Sequence, residues 1–277
     1  MAITAADIKT LRENTGAGML ECKKALAEAN GDLAAAEKIL KEKGLAAMEK
    51  RSDRATGEGR IVIKQDGNKI AMVEVTCETD FVANNDDFVA VANKAAEITL
   101  KNGKSEVTDE HKALIDGIAI KFRENMAVRR AEYIELSSNA VAGTYVHGDN
   151  KTGAVVVVEG STSDDVKTFA KDCCLHLAAF TPAYNTRADV PESYINEQKE
   201  IFQAQMAQDE KMASKPENVK AGILQGKINK HLAEICFVDQ TFVKDDKATV
   251  GKKLEEVAKA AGAKLSFGKI ALFVLGK

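Results

Sequence analysis

Nucleophilic catalysis by a thiol needs a cysteine and a histidine within reach, and His176, two residues after Cys174, is the nearest this chain comes to such a pair. On a helix that spacing turns the two side chains to different faces, which defeats the dyad and leaves His176 as a core histidine. His111, His147 and His231 show no H-E-x-x-H or other ligand spacing, so no metal site is expected. Cys22, Cys77, Cys173, Cys174 and Cys236 are odd in number and contain no C-x-x-C, which argues against a zinc site or a disulfide framework and for reduced, mostly buried thiols. Glu74 and Glu159 sit at the ends of apolar runs in different halves of the chain, and read as structural carboxylates rather than a general acid/base pair. G-x-x-x-x-G-K-[ST], G-x-S-x-G and a post-strand G-x-G-x-x-G are all missing. What remains is Thr79-Asp80-Phe81-Val82, where an aromatic ring and a carboxylate stand in a connection flanked by Asn84 and Asn85, residues that favour turns. Two readings are open: Phe81 folds back against its own core, or it is presented to a partner.

The elements on either side position this connection. Residues 70–75 form a short apolar, partly β-branched run that reads as a buried strand, and Asp86-Asp87 ahead of an apolar-periodic segment reads as a helix start. A glycine turn at Asp66-Gly67 joins the strand to an earlier one at 60–64. The order recurs from Gly143, with strands at 144–147 and 154–158, a turn at 148–153 and a helix beginning near Asp164-Asp165. Each half closes on a late strand, 128–136 and 265–274. With Glu74 matched to Glu159 and the two Asp pairs matched, the first half has extra residues, and they contain Thr79 to Val82. A loop that the second copy does without is a candidate for function.

Before the repeat, residues 1–51 read as three short helices. Thr4 and Asp7 resemble a capping box; Thr15 to Gly18 breaks the first helix, Asn30-Gly31 the second, Asp32 caps the third and Gly44 ends it. The shape is of the ubiquitin-associated type, suited to docking. Residues 52–59 are charged and glycine-bearing, a linker. Within the second half, helical runs at 192–213 and 217–233, separated by Ser214-Lys215-Pro216, form a hairpin whose stripes (Ile195, Phe202, Met206; Val219, Ile223, Ile228) cover only each other, as in a protruding antiparallel coiled coil.

At 277 residues, 45% of them hydrophobic, the chain buries a core split over two or more units. A net charge of −3 supplies no field for nucleic acid. The N-terminus lacks a cationic start followed by an apolar core, and no apolar run approaches the ~18 residues of a bilayer span, so a cytoplasmic location without membrane contact is expected.

The run 11–26, LRENTGAGMLECKKAL, the run 75–88, VTCETDFVANNDDF, and Arg129-Arg130 before a strand resemble bacterial elongation factor Ts. Residues 175–179, LHLAA, and 240–243, QTFV, are similar to that family's second half, so the resemblance covers essentially the whole chain. It implies an α+β fold with a ubiquitin-associated-like domain (1–51), a linker (52–59), a first core subdomain (60–140), a second (141–183 and 231–277) with small antiparallel sheets, and an inserted helical hairpin (184–230). It also implies a guanine-nucleotide exchange factor rather than an enzyme, without cofactor, whose partner is elongation factor Tu in its GDP-bound and nucleotide-free forms. By the same resemblance Thr79, Asp80, Phe81 and Val82 meet the partner's nucleotide domain, with Phe81 wedged between two helices and Asp80 disturbing the surroundings of Mg²⁺. Arg12, Met19, Leu20 and His147 are the further contacts it implies.

Three features depart from the family pattern. Leu20 and Glu21 stand where Met and Asp are frequent, Arg123 replaces a usual glycine, which bears on the geometry of the turn 123–125 but not on its role, and the chain ends at Gly276-Lys277, where many members continue into a helical module. Two other readings are weighed beside the resemblance: an adaptor that binds a helical partner through the three-helix segment, and a thiol enzyme using Cys77 or Cys174.

Overall fold

The computed structural model describes residues 3–209, 211 and 214–277. It is a mixture of helices and small sheets, divided into two units. The first takes in the chain up to Leu136 with Val146–Gly153 and Phe273–Lys277; the second takes in Ser137–Tyr145 and Ala154–Leu272.

The first unit begins with helices α1 (Ala5–Thr15), α2 (Met19–Glu28) and α3 (Leu33–Glu49). Asp7 serves the capping box: Asp7 N donates to Thr4 Oγ1 (3.2 Å) and the Asp7 carboxylate accepts from Thr4 N (2.9 Å). Leu11, Cys22, Ala25, Leu26, Ala36 and Leu40 close a small core between the three helices. Strands β1 (Glu58–Asp66), β2 (Lys69–Cys77) and β3 (Ala127–Glu135) form an antiparallel sheet with β2 at its centre. The segment expected to be linker up to residue 59 is therefore already strand from Glu58. Between β2 and β3 come a single helical turn, α4 (Asp80–Ala83), then α5 (Asp86–Asn102), α6 (Asp109–Asp116) and α7 (Ala119–Phe122). α5 buries Phe88, Val91, Ala92, Ala95 and Ala96, the i, i+3, i+4 spacing of one helical face, in the same core as Val73 and Val75 of β2.

Gly44 does not end α3; the helix runs on to Glu49. A Cβ at residue 44 would lie 2.5 Å from Ile120 Cγ1, so the glycine is there for close approach of α7, and packing overrides its helix-breaking tendency.

In the second unit, strands β4 (Ala140–Val146), β5 (Thr152–Glu159) and β8 (Ser266–Val274) form a sheet in that order, with the hairpin end of its strands counted in the first unit. Helix α8 (Asp164–Phe180) buries Val166, Phe169, Ala170, Cys173, Cys174 and Leu177 against Ala154, Val156 and Val158. Gly143 brings β4 so near this helix that a Cβ would sit 2.3 Å from the Ala170 backbone. A small pair, β6 (Thr241–Phe242) and β7 (Asp245–Thr249), and a helix, Val250–Ala261, complete the unit.

The hairpin arms are α9 (Glu192–Gln208) and Glu217–Ile235, each preceded by a proline. The first arm was expected to reach residue 213; its helix ends at Gln208, and Met212 and Ala213 lie outside the described residues. Of the expected stripes, Met206 and Ile228 are buried but Val219 is exposed. The arms are also anchored at their base, where Val190, Ile228, Leu232 and Cys236 pack with Tyr184 and Tyr194, and Phe237 N donates to Tyr184 O (2.9 Å).

Candidate functional site

The connection after β2 is organised by a carboxylate from far along the chain. Glu124 Oε2 accepts from Glu78 N (3.0 Å) and Thr79 N (3.1 Å), and its Oε1 accepts from Thr79 Oγ1 (2.6 Å). In return Glu78 Oε1 accepts from Asn125 N (2.7 Å). Thr79, extended at φ −124 and ψ 154, then caps the turn α4 by accepting from Val82 N. Arg60 Nη1 holds the far end by donating to Ala83 O (3.1 Å).

This turn decides the two readings of Phe81. Val82 and Ala83 face the first unit's core. Neighbouring residues on a helix are about 100° apart, so the residues before them point away from that core. Asp80 is exposed and Phe81 is 85% exposed. Of the two readings, the one in which Phe81 folds back against its own core is excluded: the ring stands in solvent on a turn fixed at both ends.

The other expected contact residues lie on separate elements of the same unit. Arg12 is exposed in the last turn of α1, and Met19 and Leu20 open α2 with 63% and 65% of their surfaces exposed. His147 is exposed in the turn between β4 and β5, its N–H donating to Thr152 O (2.8 Å). That turn also carries Lys151, whose ammonium is raised above its ordinary value chiefly by its bond to Glu58, with Asp149 and Asp80 adding to the effect. Asp80 thus lies within electrostatic range of the turn that bears His147.

Arg123 adopts φ 54, in the left-handed region that favours glycine. Its guanidinium pairs with Glu21 (2.7 Å), next to Leu20. Reading the sequence missed Glu124: no local pattern links it to Thr79, 45 residues away.

The thiols are poorly set for nucleophilic work. All five are buried; burial, with Glu124 next in effect, pushes Cys77 up to about 12, and burial pushes Cys174 up to about 12. His176 is buried with Nδ1 accepting from Val243 N (3.2 Å), which leaves Nε2–H to donate to Gln240 Oε1 (2.9 Å), the bonding of a structural histidine. Glu74, fully buried, accepts from Arg129 Nη1 (3.0 Å), Arg130 Nε (2.5 Å) and Gly276 N (3.0 Å). A bulge between Glu74 and Val75 makes this possible, since a regular ladder would send two successive arginines to opposite faces. Among the described residues no group of three His, Cys, Asp or Glu could hold a metal ion, and no helix is long and apolar enough to cross a membrane.

Residues 78–277 match the family model described as elongation factor TS. The chain is similar over its full length to elongation factor Ts of Treponema denticola, at 50% identity with 99% of that protein covered. It is 47% identical to elongation factor Ts of Treponema pallidum, covering all of this chain and 99% of that protein. The protein of the same name from Borrelia duttonii is 41% identical, with 96% of each chain covered.

Proposed function

The chain belongs to the elongation factor Ts family, and from that premise we propose that it is a guanine-nucleotide exchange factor that binds elongation factor Tu and speeds release of GDP during peptide elongation. It makes and breaks no covalent bond, and works in the cytoplasm on the GDP-bound and nucleotide-free forms of its partner. Phe81 carries this reading: a large apolar ring 85% exposed on a braced turn, with Asp80 beside it. A partner that covered the ring would gain the burial that the free protein forgoes.

In this reading Phe81 inserts between two partner helices, Asp80 disturbs the groups and waters around Mg²⁺, and Thr79 and Val82 hold the turn in shape. A ~10⁴-fold acceleration needs about 5.5 kcal/mol at the barrier. Burying one phenylalanine contributes roughly 1.5–3 kcal/mol, so the wedge needs a broader docking surface to hold the partner in its strained state. Arg12, Met19 and Leu20 on the three-helix segment, read as a ubiquitin-associated-like module, and His147 beside the second sheet are proposed to supply it. The two β-β-α arrangements, β1-β2-α5 and β4-β5-α8, are read as related core subdomains, and the hairpin as an inserted antiparallel coiled coil.

The test is release of labelled GDP from purified elongation factor Tu with and without this protein. Acceleration that saturates with factor concentration is expected. Binding without acceleration would replace the proposal with the adaptor reading, and no binding would remove both.

A further inference from the structure

We propose that Glu124 is the positioning residue of the exchange turn: its carboxylate holds Thr79 in the conformation that presents Phe81. The inference deepens the reading of residues 79–82 as the exchange element and, for its functional arm, rests on it.

The geometry favours Glu124 over every other support of the turn. One carboxylate takes both backbone donors at the entrance, Glu78 N and Thr79 N, and the Thr79 hydroxyl at 2.6 Å. These are charge-assisted bonds, roughly twice as strong as neutral ones, and the one from the hydroxyl is short. The Thr79 hydroxyl gives its proton to Glu124 and keeps a lone pair for Val82 N, so the same contact orients the cap of α4. Glu124 is itself fixed through the next residue, since Asn125 N donates to Glu78 Oε1 and Asn125 Nδ2 donates to Ser52 O (2.9 Å) and Arg54 O (2.8 Å). The neighbouring Arg123–Glu21 pair, half-exposed on both sides, is of the kind that contributes little, and is not part of the device. At the far end Arg60 holds a carbonyl, but it does not touch the residue that sets the direction of the helix.

The chain contains no tryptophan, so Phe81→Trp creates a single reporter at the tip of the turn. In the free, full-length protein, time-resolved anisotropy of this reporter should show mainly overall tumbling. Adding Glu124→Ala should at least double the amplitude of fast local motion. Glu124→Gln should largely restore it, because its amide oxygen accepts from the two N–H groups and its amide nitrogen donates to Thr79 Oγ1. With native Phe81, Glu124→Ala should lower the maximal GDP release rate from elongation factor Tu roughly tenfold, about 1.4 kcal/mol, while the half-saturating concentration changes less than about twofold. Unchanged reporter motion in Glu124→Ala overturns the inference whatever the exchange assay shows. Equal maximal rates for the variant and a wild-type protein that does accelerate release overturn it as well. A wild-type protein that fails to accelerate release refutes the exchange reading, and the anisotropy arm still decides the role of Glu124. If Glu124→Ala does not fold, Thr79→Val, which removes the 2.6 Å bond, takes its place, with Thr79→Ser as the variant that restores it.

Discussion

Replacing Phe81 by alanine separates what the ring does for the free protein from what it does for a partner. Its side chain is 85% exposed and the core contacts of the turn belong to Val82 and Ala83, so Phe81→Ala breaks no packing. Folded stability should change by no more than about 0.5 kcal/mol. On docking, burial of the ring contributes about 1.5–3 kcal/mol. A factor that weakens nucleotide binding is itself bound more weakly, by the same ratio, when nucleotide is present, since the coupling free energy is shared. A wedge therefore contributes to coupling more than to affinity, and its loss should appear mainly in the maximal rate. If the whole of the burial is realised as nucleotide leaves, Phe81→Ala slows release roughly 10- to 150-fold. The measurement is the GDP release rate at saturating wild-type and Phe81→Ala protein, so that weaker binding does not pass for a lost wedge, with a thermal melt of each free protein. Equal saturated rates would refute the wedge. A fall of many degrees in melting temperature would show that the ring supports its own fold.

Three other outcomes follow from buried groups. Glu74→Ala strips Arg129, Arg130 and Gly276 N of their common acceptor and should cost about 3 kcal/mol in urea unfolding, toward the low end for a broken buried pair because the guanidiniums reach water; a loss under about 1 kcal/mol would contradict it. Burial holds His111 and His176 below the ordinary histidine value of 6.5, and their Nδ1 atoms accept from Thr108 N and Val243 N, so protonation there would set donor against donor. The unfolded chain then takes up protons first as pH falls through 6.5, and stability present above that pH is lost below it; the melting temperature should drop more steeply between pH 7 and 5.5 in wild type than in His176→Gln, and equal slopes would refute a contribution from His176. With Cys77 and Cys174 pushed up to about 12 and all five thiols buried, native protein at pH 8 should resist alkylation until denatured, whereas fast labelling of Cys77 or Cys174 would revive the thiol reading.

Local pattern made several features legible in the sequence. The Thr4 and Asp7 cap, the Asp66-Gly67 turn, the apolar run of β2 and the helix starts at Asp86 and Asp164 are each written in residues a few positions apart, because capping, turn conformation and helical periodicity act over that range. The motif around Phe81 was visible for the same reason. The helices between α5 and β3 were not read, since α7 is a single turn held by contacts with α3 rather than by a periodic stripe of its own.

The sequence by itself determined the repeated strand-strand-helix order, the family and the presence of an aromatic residue where a turn needs none. Whether Phe81 points inward or outward was decided only in three dimensions, because it depends on which face of the turn Val82 and Ala83 give to the core. Gly44 has the composition of a helix end, yet the approach of Ile120 makes it a helix interior. Glu74 has two arginine partners only because a bulge in β3 faces it with both, and Glu124 reaches Thr79 only because the end of β2 and the start of β3 lie side by side. Propensity and periodicity act between near neighbours in sequence. Burial, close approach and the satisfaction of a buried charge depend on neighbours that only the folded chain supplies.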